Sequence, residues 1–119
     1  MKFVTKKIHS YLDYPVAVAL MALPFVLGLG NSNSLALQLS VGTGIAALIL
    51  TLLTDHQLGV YRIIPYKGHL FADTLVGILF VITPFVFLFE GLDAYYYWII
   101  GATVLAVVSL HKPEVATSN

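Results

Sequence analysis

Two histidine–aspartate pairs, His9 with Asp13 and His69 with Asp73, are the residues of this 119-residue chain best suited to chemistry. In each pair the aspartate follows the histidine by four positions, which places both side chains on one face of a helix. The string His-x3-Asp-x10-Pro-Phe-Val, which contains the pair, starts at residue 9 and again at residue 69. Each copy opens a long apolar run, and ionisable residues inside a membrane segment indicate function.

If the two faces meet, the four side chains form a cluster of two imidazoles and two carboxylates. Such groups bind divalent metals, and Zn, Fe and Mn are the candidates. The cluster could equally relay protons or ions, because histidine titrates near neutral pH. A bis-histidine haem b, with His9 and His69 as axial ligands, is a further alternative. The structural alternative is that Asp13 and Asp73 only cap and pack helices, whose N-termini favour a carboxylate.

The loop between the two copies carries three more polar candidates for the same side of the membrane, namely Asp55, His56 and Arg62. The loop is otherwise apolar, so the alternative is an interfacial segment in which Arg62 reaches the lipid headgroups. Pro24 and Pro84 occupy equivalent positions inside the apolar runs, and we expect a mid-helix kink at each of them. Each proline also frees the carbonyl four residues earlier.

Composition places these residues in a membrane. Hydrophobic residues make up 59% of the chain and charged residues only 10%, whereas soluble domains carry about 25% charged residues. The formal net charge is zero and there is no basic tract, which argues against a nucleic-acid partner. The absence of cysteine excludes thiolate catalysis. Because no nucleophile–base arrangement or phosphate loop is present either, we expect a protein that is not an enzyme.

Four apolar runs, at about 11–30, 35–53, 69–90 and 94–111, are each close to the roughly 20 residues that cross a bilayer. Strand-like alternation is absent, so the prediction is an all-α integral membrane protein with four transmembrane helices. Asn33 or Ser34 is expected to cap the second helix and Asp93 the fourth.

The repeat divides a single membrane domain, residues 1–119, into two tandem helical hairpins at 8–54 and 69–112. A cytoplasmic interfacial loop, 55–68, joins them, and a tail follows at 113–119. Both hairpins cross twice, so they share one orientation, and we expect a pseudo-two-fold axis along the membrane normal.

Small residues on the second helix, among them Gly42 and Gly44, should let neighbouring helices approach closely. The first and third helices align at an offset of 60 residues. The second and fourth align at 59, which pairs Gly42 with Gly101.

Basic residues fall on one side of this arrangement: Lys2, Lys6, Lys7, Arg62, Lys67 and Lys112. The positive-inside rule then places both termini and the middle loop in the cytoplasm, with the helices in the inner membrane. A bundle this thin is expected to form a homodimer or to join a larger membrane complex, with the lipid bilayer as its other partner.

The chain resembles the SPW-repeat family of small membrane proteins, which is named for a Ser-Pro-Trp motif in repeated membrane hairpins. The corresponding residues here are Leu23-Pro24-Phe25 and Thr83-Pro84-Phe85, and the resemblance covers roughly residues 8–111. It implies the hairpin fold and a membrane location, and it carries no established activity. From the residues themselves we expect a binding or transport protein, with a structural or accessory subunit as the rival interpretation.

Overall fold

The computed structural model describes residues 5–54, 59–61 and 63–110, and these form four helices. They are α1 (Lys6–Val26), α2 (Leu35–Leu53), α3 (Tyr66–Phe87) and α4 (Leu92–Ser109). By length and composition α2, α3 and α4 can each cross a membrane. The molecule is 47 Å long, which suits a bilayer of about 40–45 Å including headgroups. The predicted all-α membrane fold is confirmed.

Two helices begin earlier than the apolar runs suggested. The first begins at Lys6 instead of near residue 11, because the Thr5 hydroxyl accepts a hydrogen bond from Ile8 N at 3.1 Å and caps the helix. The third begins at Tyr66, directly after Pro65. Both His–Asp pairs therefore lie inside helices, beyond the first residues. Neither Asp13 nor Asp73 caps a helix, so the capping interpretation of the pairs is wrong.

The two helices that carry the His–Asp pairs end soon after a proline. Pro24 lies in the last turn of α1 and Pro84 in the last turn of α3, not at mid-helix as the apolar runs suggested. The chain then folds back in the same way in both hairpins. The amide of Leu29 donates to the Pro24 carbonyl at 2.8 Å, and the amide of Phe89 donates to the Pro84 carbonyl at 3.0 Å.

Within each hairpin the helices approach closely at a glycine. A Cβ atom added to Gly44 would lie 2.9 Å from the Ala17 carbonyl oxygen, and one added to Gly101 would lie 2.9 Å from the Gly77 carbonyl oxygen. Ala17 and Gly77 are equivalent in the 60-residue repeat. Gly101 is therefore the counterpart of Gly44, at an offset of 57, and its predicted pairing with Gly42 is wrong. A Cβ on Gly42 would meet nothing within 4 Å.

The two hairpins share an apolar core near the two turns. Its buried members are Leu20, Leu29, Ala36, Phe80, Phe89, Ala94, Tyr96 and Tyr97. A polar chain crosses this core. The Ser40 hydroxyl donates to the Leu20 carbonyl at 2.8 Å, which is the carbonyl freed by Pro24, and it accepts from the Tyr96 hydroxyl at 2.7 Å. The Leu20 carbonyl therefore has a hydrogen-bond partner, which avoids the free-energy cost of an unsatisfied carbonyl in lipid.

Asp93 joins the hairpins at the same end. It lies in the first turn of α4 but does not cap it, since the N-cap position is Gly91. Its carboxylate instead accepts hydrogen bonds from Gly30 N at 2.9 Å, Ser32 N at 3.0 Å and Ser32 Oγ at 2.6 Å. Asp93, which was predicted to cap α4, thus binds the turn between α1 and α2 and holds it in place. The N-cap position of α2 is Ser34, whose side chain makes no capping hydrogen bond, whereas Asn33 Oδ1 accepts from Leu35 N at 3.0 Å.

Replacing Asp93 by asparagine should lower the free energy of unfolding by about 2 kcal/mol. An amide offers one acceptor oxygen where the carboxylate offers two, so part of this donor set loses its partner. Thermal unfolding in detergent micelles, followed by circular dichroism, measures the effect. Glu90→Gln is the matched control, because it removes the same charge from an exposed side chain in the second turn. Equal melting temperatures for the two variants would show that the hydrogen bonds of Asp93 to the first turn do not stabilise the protein.

Candidate metal centre

The two His–Asp pairs meet in space. Nε2 of His9 lies 3.0 Å from Asp13 Oδ1 and 2.8 Å from Asp73 Oδ2. Nε2 of His69 lies 3.3 Å from Asp13 Oδ2 and 3.3 Å from Asp73 Oδ2. Each imidazole therefore contacts one carboxylate on its own helix and one on the other hairpin. We refer to His9, Asp13, His69 and Asp73 as the tetrad.

Helix geometry and burial hold the tetrad in place. The one-turn spacing places the two residues of each pair on one face of α1 or α3, and these two faces lie against each other. The two imidazole rings stand perpendicular, at 89°, with centroids 5.5 Å apart. His9 and His69 are only 3% and 2% exposed, and Asp13 is 9% exposed. The tetrad is thus a buried polar contact between two helices whose surroundings are apolar.

A hydroxyl at the C-terminal end of α2 holds His69 in place. Thr54, the residue after α2, has its Oγ1 atom 2.7 Å from His69 Nδ1 and 2.5 Å from the Leu50 carbonyl oxygen. A carbonyl only accepts, so the threonine proton points to Leu50 and the hydroxyl oxygen accepts from Nδ1–H of His69. With its proton on Nδ1, a neutral His69 presents the lone pair of Nε2 to the tetrad.

Thr54 was not identified from the sequence. The sequence feature that could have identified Thr54 is its position at the end of the second helix, on the side of the membrane where His69 begins the second repeat. The loop stabilises this end of α2, because backbone amides of four loop residues donate to the carbonyls of Leu52 and Leu53 at 2.7–3.0 Å. The four donors are Val60, Tyr61, Ile63 and Ile64. The predicted candidates Asp55, His56 and Arg62 lie outside the described residues, so their part in the site stays a prediction.

A cavity of about 380 Å³ adjoins the tetrad between the four helices. The tetrad forms its polar end, and side chains of all four helices line the remainder, among them Leu20, Ala47, Val76 and Val104. The two helices of each hairpin therefore pack tightly against each other, whereas the cavity separates one hairpin from the other next to the tetrad.

The tetrad matches the ligand set of a divalent metal. One ligand atom from each of its four residues can be chosen so that all four lie within 4.8 Å of one another. A tetrahedral zinc ion at about 2.0–2.2 Å from nitrogen and oxygen ligands separates those ligands by about 3.3–3.6 Å. The imidazole–carboxylate distances of 2.8–3.3 Å are slightly shorter. Because the four candidate ligand atoms lie as much as 4.8 Å apart, the side chains would have to adjust to surround one ion.

Comparison with known proteins agrees with this architecture. No curated protein and no solved structure matches the chain. The family model of the SPW repeat domain matches residues 7–111, a span that contains the tetrad and nearly all of the four helices. The chain belongs to the SPW repeat family.

Proposed function

We propose that this protein binds one divalent metal ion, Zn, Fe or Mn, at the tetrad, in a role of binding or transport and not of catalysis. The convergence of two imidazole Nε2 atoms and two carboxylates at a buried point between the hairpins is the observation that supports it most directly. Imidazole and carboxylate ligands suit these metals. The Thr54 hydroxyl supports it further, since metal-binding histidines commonly donate their second ring N–H to a fixed acceptor.

The proposal includes a place in the cell. We infer an inner-membrane protein in which α1 is the fourth span, the hairpins are related by a pseudo-two-fold axis and the tetrad faces the cytoplasm. Lys7 and Lys67, both exposed, lie at the tetrad end of the helices, as the positive-inside rule requires. Exposed apolar side chains such as Phe71 and Phe85 then face lipid, a second copy in a homodimer, or a larger complex.

A proton relay is the second candidate, and one contact favours it. Asp73 Oδ2 lies 2.8 Å from His9 Nε2 and 3.3 Å from His69 Nε2, so a single oxygen connects the two imidazoles. Proton flux into proteoliposomes prepared with chelator, present in the wild type and lost in Asp73→Asn, would identify this function. Haem b is not favoured, because the two carboxylates occupy the space between the imidazoles in which a porphyrin would lie.

The metal content of purified protein tests the principal proposal. After zinc loading and dialysis, the wild type should retain about one ion per chain, and the double variant His9→Ala, His69→Ala less than about one tenth of that. Retention should fall as the pH is lowered, because protons compete with the metal for the imidazole and carboxylate groups.

Thr51→Val serves as the control, because Thr51 is buried nearby but bonds only to its own helix, at the Ala47 carbonyl. It should retain the wild-type metal content. If the wild type retains no metal, or the double variant retains as much as the wild type, the proposal is wrong. If metal is absent and only the melting temperature of the double variant falls, the rival interpretation as a structural subunit is supported.

A further inference from the structure

The cavity beside the tetrad offers a ligand very few polar groups. Apart from the tetrad, the polar residues that line it are three threonines. Each hydroxyl donates to a carbonyl of its own helix at 2.7–2.8 Å: Thr43 to Leu39, Thr51 to Ala47 and Thr103 to Ile99. The threonine protons are thus engaged, and a molecule in the cavity meets apolar walls everywhere except at the tetrad.

One oxygen of the tetrad is suited to receive a ligand. Asp73 is the most exposed member, at 22% of its side chain, and it lines the cavity. Both of its contacts with the imidazoles use Oδ2. Within the part of the chain that the structure describes, Oδ1 of Asp73 accepts no hydrogen bond. A hydrogen-bond donor at the polar end of the cavity would give this oxygen a partner.

The cavity is partly open at its surface. Leu12 and Val16 line it and are 39% and 41% exposed. With the helices in a bilayer, a dissolved molecule would enter past such apolar side chains. The volume of about 380 Å³ lies near the lower end of small-molecule sites, which measure about 300–1,000 Å³. It suits a compact body better than the two acyl chains of a phospholipid.

We propose that this cavity binds a compact lipophilic alcohol or phenol from the membrane. The O–H group donates a hydrogen bond to Asp73 Oδ1, and the apolar body packs against the leucine, valine and alanine side chains of the four helices. No bond is made or broken. The proposal goes beyond metal binding and does not depend on it, because the hydrogen bond uses the other oxygen of Asp73, not the Oδ2 atom that pairs with the imidazoles.

Thermal unfolding in detergent micelles with chelator tests this binding, using 2,6-diisopropylphenol as the probe. Its methyl ether has nearly the same shape but no donor. At ten times its dissociation constant the phenol should raise the melting temperature of the wild type by about 5 °C, and the ether should raise it much less. In Asp73→Ala the difference between phenol and ether should vanish, with each shift measured from the melting temperature of that variant.

Ala47→Leu separates cavity binding from general partitioning into the micelle. The added side chain fills part of the cavity, so the shift should be lost while about one zinc ion per chain is still retained. Ala102→Leu is the matched control, since Ala102 is exposed and does not line the cavity; it should keep the shift. Equal shifts for phenol and ether in the wild type, or an undiminished shift in Ala47→Leu, overturn the proposal. A phospholipid that co-purifies with the wild type but not with Ala47→Leu also overturns it, in favour of an acyl chain.

Discussion

Replacing Thr54 by valine should lower the zinc affinity of the tetrad by about 10- to 100-fold. Valine has nearly the shape of threonine but cannot accept the hydrogen bond from His69 Nδ1, which measures 2.7 Å. His69 then loses the contact that fixes its ring orientation and directs the Nε2 lone pair at the metal. Competition titration of the purified protein against a chromophoric chelator measures the change.

Two further variants make this prediction specific. Thr54→Ser keeps the hydroxyl and should restore most of the affinity. Thr51→Val removes a buried hydroxyl from the same helix, but that hydroxyl bonds only to the Ala47 carbonyl, so the affinity should stay within about two-fold of the wild type. If Thr54→Val and Thr51→Val bind zinc equally well, Thr54 has no part in positioning His69.

Replacing Gly44 by alanine should lower the free energy of unfolding by about 3 kcal/mol. The new Cβ would lie 2.6 Å from Met21 Cγ, 2.9 Å from the Ala17 carbonyl oxygen and 3.0 Å from Leu20 Cβ. The methionine can move aside, but the other two atoms belong to the backbone and to the base of a side chain. The first two helices must therefore separate along their contact.

Gly42→Ala is the control for this substitution. The same methyl group, half a turn away on the same helix, would meet nothing within 4 Å, and alanine favours a helix over glycine by up to about 1 kcal/mol. Gly42→Ala should therefore be neutral or stabilising. Thermal unfolding of both variants in the same micelles compares them directly. A loss of stability of equal size in both would mean that helix packing at Gly44 is not the cause.

Features that recur along the chain were predictable. The two copies of His-x3-Asp share one spacing and one position in an apolar run, and the structure brings these four residues together. Membrane helices must satisfy their backbone groups internally, so length and apolarity predicted the helical hairpins well. The apolar pattern predicts too late a start for α1 because Lys6, Lys7 and His9 interrupt it, while a helix begins wherever a residue such as Thr5 caps it.

Contacts between residues with no shared pattern were not predictable. Thr54 reaches His69 only because the loop folds back onto the end of α2. Asp93 has the residue type and position of an ordinary helix cap, and only the packed turns show that its donors belong to the other hairpin. Nothing in composition distinguishes Gly44 from Gly42, since the choice depends on how far α2 is rotated about its axis.

The even division of the tetrad between the hairpins bears on the ancestry of the chain. Each hairpin supplies one histidine and one aspartate, so two copies of a half-length ancestor, associated as a homodimer, would assemble the same four ligands. Fusion would make that assembly independent of concentration and would also free the halves to diverge. At the offset of 57 that relates Gly44 to Gly101, Ala36 and Ser40 correspond to Asp93 and Tyr97. The four ligands thus repeat between the hairpins, whereas the residues that join the hairpins at the other end differ.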